Sequence, residues 1–261
     1  MSHTILITGA GSGFGKLVAF DLAQRGHRVI ATTHIWPQVT ALRNEARERN
    51  IAIEVDKLDV TSERDRRNAR RWDVDILVSN AAVMEAGPIA ELPLDLLRAM
   101  FEVNFFGAVA LVQQFAAGMA SKRRGKIVLV SSLAGLVTVP YSAGYSATKH
   151  ALEALAEGLK AELAPFGIRV ATINPGFYGT GFNDRGLDSA SHWFDPSTNF
   201  TPVEVFSSVV QLLANQAAPQ EMADRIVEVI LAEDALFRNV LPRETEDFIR
   251  QSESDAWTAK A

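Results

Sequence analysis

The chain has 261 residues, 48% hydrophobic and 22% charged, with a formal net charge of −5. That composition suits a soluble globular protein with room for one α/β domain, and it argues against nucleic acid, whose phosphates call for a basic surface. With no cysteine, a disulfide framework, a thiolate nucleophile and a cysteine zinc site are excluded. The five histidines (His3, His27, His34, His150 and His192) show no metal-ligand spacing, and no serine stands in a G-x-S-x-G turn, so neither a metal site nor a nucleophile elbow is predicted. No apolar run reads as long enough to span a bilayer. The chain enters a strand by His3 or Thr4 without a charged-apolar-small leader. The expectation is a cytoplasmic protein with no membrane partner.

Thr4–Ile7 is a short apolar run, the mark of a buried strand. A glycine-rich turn, Thr8–Gly15, follows at once. Leu17, Phe20, Leu22 and Ala23 then trace the inner face of a helix that ends at Gly26, and Arg28–Thr32 reads as a second strand. Strand, glycine turn, helix and strand make a βαβ unit with a right-handed crossover. Glycines there let backbone approach a pyrophosphate, and the helix N-terminus adds N–H donors and the positive end of its dipole.

The alternation continues. Val39–Arg49 reads as a charged helix, and Ile51–Val55 as a strand reaching Leu58, Asp59 and Val60. Glu63–Arg71 is a solvated helix face. Val74–Val78 is a fourth strand, ending in Ser79, Asn80, Ala81 and Ala82. Leu94–Met119 is helical, in one piece or two around Asn104. Its later part, from Phe105, is apolar on nearly every side, which predicts burial on more than one face, by the sheet and by another subunit. Lys126–Val130 is a fifth strand running into Ser131 and Ser132. A helix from about Tyr145 ends near Gly167, and Ile168–Ile173 is a sixth strand closed by Asn174, Pro175 and Gly176. The pattern breaks down over Phe177–Phe200, and helical periodicity returns at Val203–Leu213 and Glu221–Leu231. A stretch this irregular inside a compact domain predicts a lid, at about 177–215. The polar tail at about 244–261 is expected to be partly loose.

Strands alternating with helices in this rhythm predict a doubly wound, Rossmann-type parallel sheet in a single domain, 1–261. Such sheets bind ligands beyond the C-terminal ends of their strands. The turn Thr8–Gly15, Asp59, Ser79–Ala82, Ser131–Ser132 and Asn174–Gly176 all fall at such ends.

Tyr145 and Lys149 stand four apart at the head of a helix-forming run, so they share one helix face. A phenol titrates near ~10, and a nearby cation favours the phenolate. The pair reads as a general acid/base with its tuning group.

With those residues in view, the chain resembles the short-chain dehydrogenase/reductase family, over about residues 3–180 and in its single-domain form. The motif T-G-x-x-x-G-x-G appears as Thr8, Gly9, Gly13 and Gly15, with Ser12 and Phe14 inside it. The aspartate-hydrophobic pair that meets the adenine appears as Asp59-Val60. The N-N-A-G segment appears as Ser79, Asn80, Ala81 and Ala82, with two substitutions. P-G-x-x-x-T appears as Pro175, Gly176 and Thr180. Asn104, Ser132, Tyr145 and Lys149 match the catalytic Asn-Ser-Tyr-Lys set, and the spacing 145 − 132 = 13 selects Ser132 over Ser131.

The resemblance implies hydride transfer between a nicotinamide and a carbinol carbon. Tyr145 moves the hydroxyl proton, Ser132 bonds the substrate oxygen, and Lys149 holds the ribose. Asn104 holds a water near Lys149 that passes protons to solvent, a role compatible with bonding helix backbone at a kink. Tyr178 stands where many members carry valine or isoleucine. Counting 24 on from Gly9 lands on Thr33, where NAD enzymes of the family carry aspartate; His34 follows. Without that repelling charge the expectation leans to NADP(H) over NAD(H), unless both are ordinary strand-end residues.

The substrate is expected to be a largely apolar alcohol or ketone. Leu133, Val139, Tyr141, Phe177, Phe182, Trp193 and Phe194 are candidate pocket residues, and Arg185 is assigned to the surface. Family resemblance also points to a homodimer or homotetramer. The competing readings are a non-catalytic NAD(P)-binding redox sensor, expected to lose tyrosine or lysine, and a lyase on the same fold, expected to lack the glycine turn and Lys149.

Overall fold

The computed structural model describes residues 2–260; Met1 and Ala261, the ends of the expected domain, lie outside the described residues, as do the side chains at positions 208 and 212. Among the described residues seven strands form one parallel sheet: β1 (Thr4–Ile7), β2 (Arg28–Thr33), β3 (Glu54–Lys57), β4 (Ile76–Ser79), β5 (Gly125–Val130), β6 (Ile168–Pro175) and β7 (Arg238–Leu241). Their order is β3-β2-β1-β4-β5-β6-β7. The order reverses between β1 and β4, which opens a crevice beyond their C-terminal ends.

Side chains alternate across each strand, and both faces are buried. Ile5, Ile7, Val29, Ala31, Ile76 and Val78 join one core, with α1 (Gly13–Gln24), α2 (Trp36–Glu48) and α9 (Gln220–Leu231). Leu6, Ile30, Leu77, Ile127 and Leu129 join the other, with α5 (Gly107–Ser121) and α6 (Ala143–Leu163). Burying each such side chain contributes roughly 1.5–3 kcal/mol. The short α3 (Glu63–Ala69) is capped by Ser62, whose hydroxyl accepts from the Asp65 N–H.

The crossover between β4 and β5 is one continuous helical run. It comprises α4 (Leu94–Phe101), a π-helical turn Glu102–Phe106 and α5. The run Leu94–Ser121 is long and apolar enough to cross a membrane by length and composition, its most apolar 18-residue window having a mean hydropathy of 1.4. This corrects the expectation that no stretch of the chain is; Arg98, Glu102 and Asn104 interrupt the run when it is scanned residue by residue. Here the helix lays Leu111, Val112, Phe115 and Met119 against the sheet.

Three further features go beyond the predicted elements. β7 is a short edge strand whose residues Arg238 and Asn239 carry no apolar signature; the Asn239 side chain is buried and donates to the Thr172 carbonyl at 3.1 Å. The irregular stretch after Phe177 contains α7 (Phe182–Ser189), followed by α8 (Val205–Leu213). Within the expected tail, α10 (Arg243–Ala256) buries Ile249 with Leu133 and Val137.

Candidate active site

The glycine turn between β1 and α1 sits at the switch point. Gly9 and Gly13 have φ of +66° and +54°, a region L side chains rarely adopt. A Cβ on Gly9 would stand 2.8 Å from Ala81 Cα, so the turn is also too close to the end of β4 for any larger residue. Buried Thr8 locks that contact. Its Oγ1 accepts from the Asn80 and Ala81 N–H groups, both at 3.0 Å, while Asn80 Nδ2 donates to the Thr8 and Gly9 carbonyls at 2.9 and 3.1 Å. Ser12 precedes α1 without capping it, which leaves the first N–H donors of that helix available to an anion.

A cavity of about 580 Å³ runs from this turn across the strand ends. Gly9, Ser12, Gly13, Phe14, His34, Asp59, Val60, Asn80, Ala81, Ala82, Ser132, Tyr145, Lys149, Pro175, Gly176 and Thr180 all line it. Three candidates do not. A Cβ on Gly15 would meet Asn80 Nδ2 and the Gly9 carbonyl at 2.6 Å, which makes Gly15 a packing glycine. Thr33 is buried, and its hydroxyl donates to the Ile35 carbonyl at 3.2 Å.

Asn104 lies buried in the π turn. Its Oδ1 accepts from the Val83 N–H at 2.8 Å, and its Nδ2 donates to the Val83 carbonyl (2.8 Å) and to Thr148 Oγ1 (3.0 Å). Both amide hydrogens are therefore used. The side chain pins the segment after β4 to α6.

Tyr145 and Lys149 occupy the first two turns of α6. Tyr145 sits among Met100, Ala134 and Phe182, with the Phe182 ring centroid 5.7 Å away. Burial pushes the phenol well above its ordinary range, and Ser132 beside it pulls the other way. Lys149 is buried too; its Nζ donates to the Val130 carbonyl at 2.8 Å and lies 5.6 Å from the Tyr145 ring centre. Burial brings the ammonium down to about 8, opposed by Glu153. Burial thus works against the charged form of both partners, a factor that the spacing alone does not contain. Ser132 Oγ accepts from the Ala134 N–H at 3.1 Å, so its own hydrogen is free to donate.

The structure also adds residues that sequence reasoning missed. Gln38, in the first turn of α2, faces the glycine turn, with its Oε1 3.0 Å from where a Gly11 Cβ would be; both line the cavity. Arg185 is exposed, as expected, yet stands on the cavity rim with Asn183. No local pattern marks these positions; only the path of the chain brings them in. Among the apolar pocket candidates only Phe182 lines the cavity. Leu133, Val139 and Phe177 pack instead with Ile249 under α10. Trp193 lies against Gly87 and stacks edge-on with Phe194, which meets Phe206.

Comparison with known proteins agrees with this geometry. The family model described as short chain dehydrogenase matches residues 3–189. The chain is 35% identical over 233 residues to an uncharacterized oxidoreductase of Bacillus subtilis, covering 86% of this chain and 83% of that protein. It is 33% identical over 242 residues to retinol dehydrogenase 8 of Bos taurus, covering 87% and 78%. Among solved structures, a short-chain dehydrogenase from Streptomyces avermitilis superposes with a TM-score of 0.83 at 28% identity, over 99% of this chain and 95% of that one. The chain belongs to the short chain dehydrogenase family of oxidoreductases.

Proposed function

We propose that the protein is an NAD(P)-dependent oxidoreductase acting on a secondary alcohol or ketone, with Tyr145 as general acid/base. One observation carries this reading: the glycine turn and the Ser132–Tyr145–Lys149 cluster open into the same cavity. The cradle fits a dinucleotide, because positive-φ glycines and the uncapped start of α1 present backbone N–H groups where a side chain has no room. When bound, NAD(P) supplies or accepts the hydride.

The chain's own groups do the rest. The glycine turn would hold the phosphates, Asp59 and Val60 the adenine, and Lys149 the ribose hydroxyls. Ser132 donates its free hydrogen to the substrate oxygen, where negative charge grows during ketone reduction. Tyr145 Oη, kept protonated by burial, gives the proton to that oxygen and takes one back in the reverse direction. Phe182 and the segment after it exclude water. The Phe182, Val83 and Met84 surroundings and the single Arg185 at the rim favour a largely apolar substrate, in keeping with the retinol dehydrogenase relative.

The cofactor leans to NADP(H). The lining near β2 is Gly11, Ser12, His34 and Gln38, none of them acidic, and the Asp59 carboxylate is turned onto Thr61, which donates from its N–H and hydroxyl at 2.9 and 2.7 Å. His34, not Thr33, is the residue to change. His34→Asp should turn the preference toward NADH, in kcat/KM and in direct fluorescence titration. Absorbance at the reduced-nicotinamide band with a panel of ketones and alcohols tests the whole reading; no oxidation or reduction of any of them with either cofactor overturns it. A cytoplasmic homodimer or homotetramer completes the proposal. Phe106, exposed on the crossover helix beside half-buried Phe105, supports it, and light scattering that finds a monomer at micromolar concentration refutes that part.

A further inference from the structure

We propose that Glu153 is a positioning residue for this site: the buried carboxylate that keeps Lys149 charged, itself held in place by Asn174 and Arg238. The proposal rests on the reading of Lys149 as part of the catalytic set. Tyr145, Lys149 and Glu153 recur every four residues along α6, so all three share one helix face. All three are buried. A buried carboxylate is costly unless it is paired and hydrogen-bonded, and Glu153 is both. Asn174 Nδ2 donates to its Oε1 at 2.7 Å, and Arg238 Nη2 approaches its Oε2 at 3.4 Å while also reaching Glu157 at 3.0 Å.

Asn174 has no freedom to turn away. Its Oδ1 accepts from Thr172 Oγ1 at 3.0 Å, and its Nδ2 also donates to the Ser132 carbonyl at 3.2 Å. The same amide thus ties the carboxylate to the backbone of the substrate-binding serine. On the other side, a Cβ on Gly135 would stand 3.1 Å from Glu153 Cγ and 3.0 Å from the Lys149 carbonyl, so the seat is tight. Lys149 has the opposite problem: burial works against its charge and brings it down to about 8, and Glu153 is the group that opposes this.

Few other charges face Lys149. β5 offers the neutral Val130 carbonyl, and its Lys126 is turned away into α9. β6 offers Asn174 and the π turn Asn104, both neutral. The turn Leu133–Gly135 carries no charge, and Asp95 and Arg98 of α4 pair with each other in solvent. β7 contributes Arg238, α6 itself Tyr145, and the cavity wall Asp59 and Arg185. Glu153, one turn along, is therefore the nearest anion on the lysine's own helix face; Glu157, a turn further, is exposed and pairs with Arg238.

The test is an NMR titration of the cofactor-free protein carrying 13C-labelled lysine side chains, with the Lys149 signal assigned by its loss in Lys149→Met. Glu153→Gln keeps an acceptor for Asn174 and removes the charge. It should move the Lys149 midpoint down by about one pH unit, and the alkaline limb of kcat/KM should move with it. Arg238→Gln, at a half-exposed side chain, should move the midpoint the other way, because the carboxylate is then unopposed. A merely structural role for Glu153 lowers the Tm without moving either midpoint. An unchanged Lys149 midpoint in folded Glu153→Gln overturns the proposal; if that variant does not fold, an unchanged or lowered midpoint in Arg238→Gln does so. The titration needs no turnover, so it stands or falls separately from the assignment of activity.

Discussion

The two ends of the cavity are held by different means. At the glycine turn, Gly9 packs directly on the backbone of Ala81, and the side chains of Thr8 and Asn80 tie the two segments together. Asn80, 72 residues from Thr8 in sequence, donates to it twice, from its backbone N–H to Oγ1 and from Nδ2 to the carbonyl, and the Thr8 side chain is fully buried. Over Phe182–Phe206 the chain is tied down by side chains at a few points. The Glu91 carboxylate accepts from Asn199 Nδ2 (3.0 Å) and from the N–H groups of Phe200 (2.6 Å) and Thr201 (3.2 Å). Trp193 rests on Gly87, and the Ala86 N–H meets the Gly186 carbonyl at 3.0 Å. Yet Phe200 remains 77% exposed. The difference teaches where tolerance lies. The end that would take an invariant cofactor has no slack, while the end that would choose the substrate is fastened by contacts a single substitution can release.

The largest expected effect is at the chemistry between the two ends. Tyr145→Phe removes only the phenolic proton and should lower kcat by about 10²–10⁴, with cofactor affinity and Tm nearly unchanged. A loss smaller than about tenfold in steady-state assays would mean that another group supplies the proton.

Next, Gly9→Ala should break the rigid end. The alanine meets both a positive φ and a Cβ 2.8 Å from Ala81 Cα, so a cost above about 1 kcal/mol is expected, together with weakened cofactor binding. Gly118→Ala is the contrast: that Cβ has nothing within 4 Å and lies in a helix, where alanine gains about 0.8–1 kcal/mol. Chemical denaturation measures both, and equal effects would dissolve the distinction.

Lys126 probes the sheet behind the rigid end. Its buried ammonium donates to the Val229 and Ile230 carbonyls at 2.8 and 2.9 Å and to the Ala232 carbonyl, closing the C-terminus of α9. Burial lowers it from 10.5 to about 8, with Arg169 adding to the shift and Glu233 opposing it. Below pH 8 both folded and unfolded chains carry the proton. Between about 8 and 10.5 the native state sheds its proton first, so this group's contribution to stability rises with pH. Lys126→Met should flatten that rise and cost about 1–3 kcal/mol through the abandoned carbonyls. Unfolding free energies across this range that match wild type in slope would refute the assignment.

The smallest expected effect on stability is at the lid. Burial pushes the Glu91 carboxyl up, but the bonds from Thr201, Asn199 and Phe200 outweigh it and hold it below the ordinary glutamate value. The latch is therefore intact at neutral pH and is lost only as pH falls through that lowered value. Glu91→Ala should raise KM severalfold and speed proteolytic cleavage within 190–201, leaving the Tm close to wild type. A fall in Tm as large as that of Gly9→Ala would show that the two ends are not fastened differently after all.

The sequence by itself determined whatever depends on neighbours along the chain. The glycine spacing dictates a turn that only backbone can line, period-two alternation puts Ile5 and Ile7 opposite Leu6, and a spacing of four sets Tyr145 beside Lys149 on one helix face. Tertiary structure alone decided whatever depends on packing between distant segments. Burial, not the lysine, dominates the proton affinity of Tyr145, and the Asn104 amide is taken up by Val83 and Thr148. Gln38 lines the cofactor end where Thr33 does not, because the Thr33 hydroxyl is spent on the Ile35 carbonyl and its side chain is buried. β7 is only four residues long, and α10 is polar along most of its length with few apolar residues to bury. Each gains its stability from a surface that another part of the chain provides: the free edge of β6, and the apolar patch of Leu133 and Val137. Burial and partner geometry are properties of the folded whole, and no window of sequence contains them.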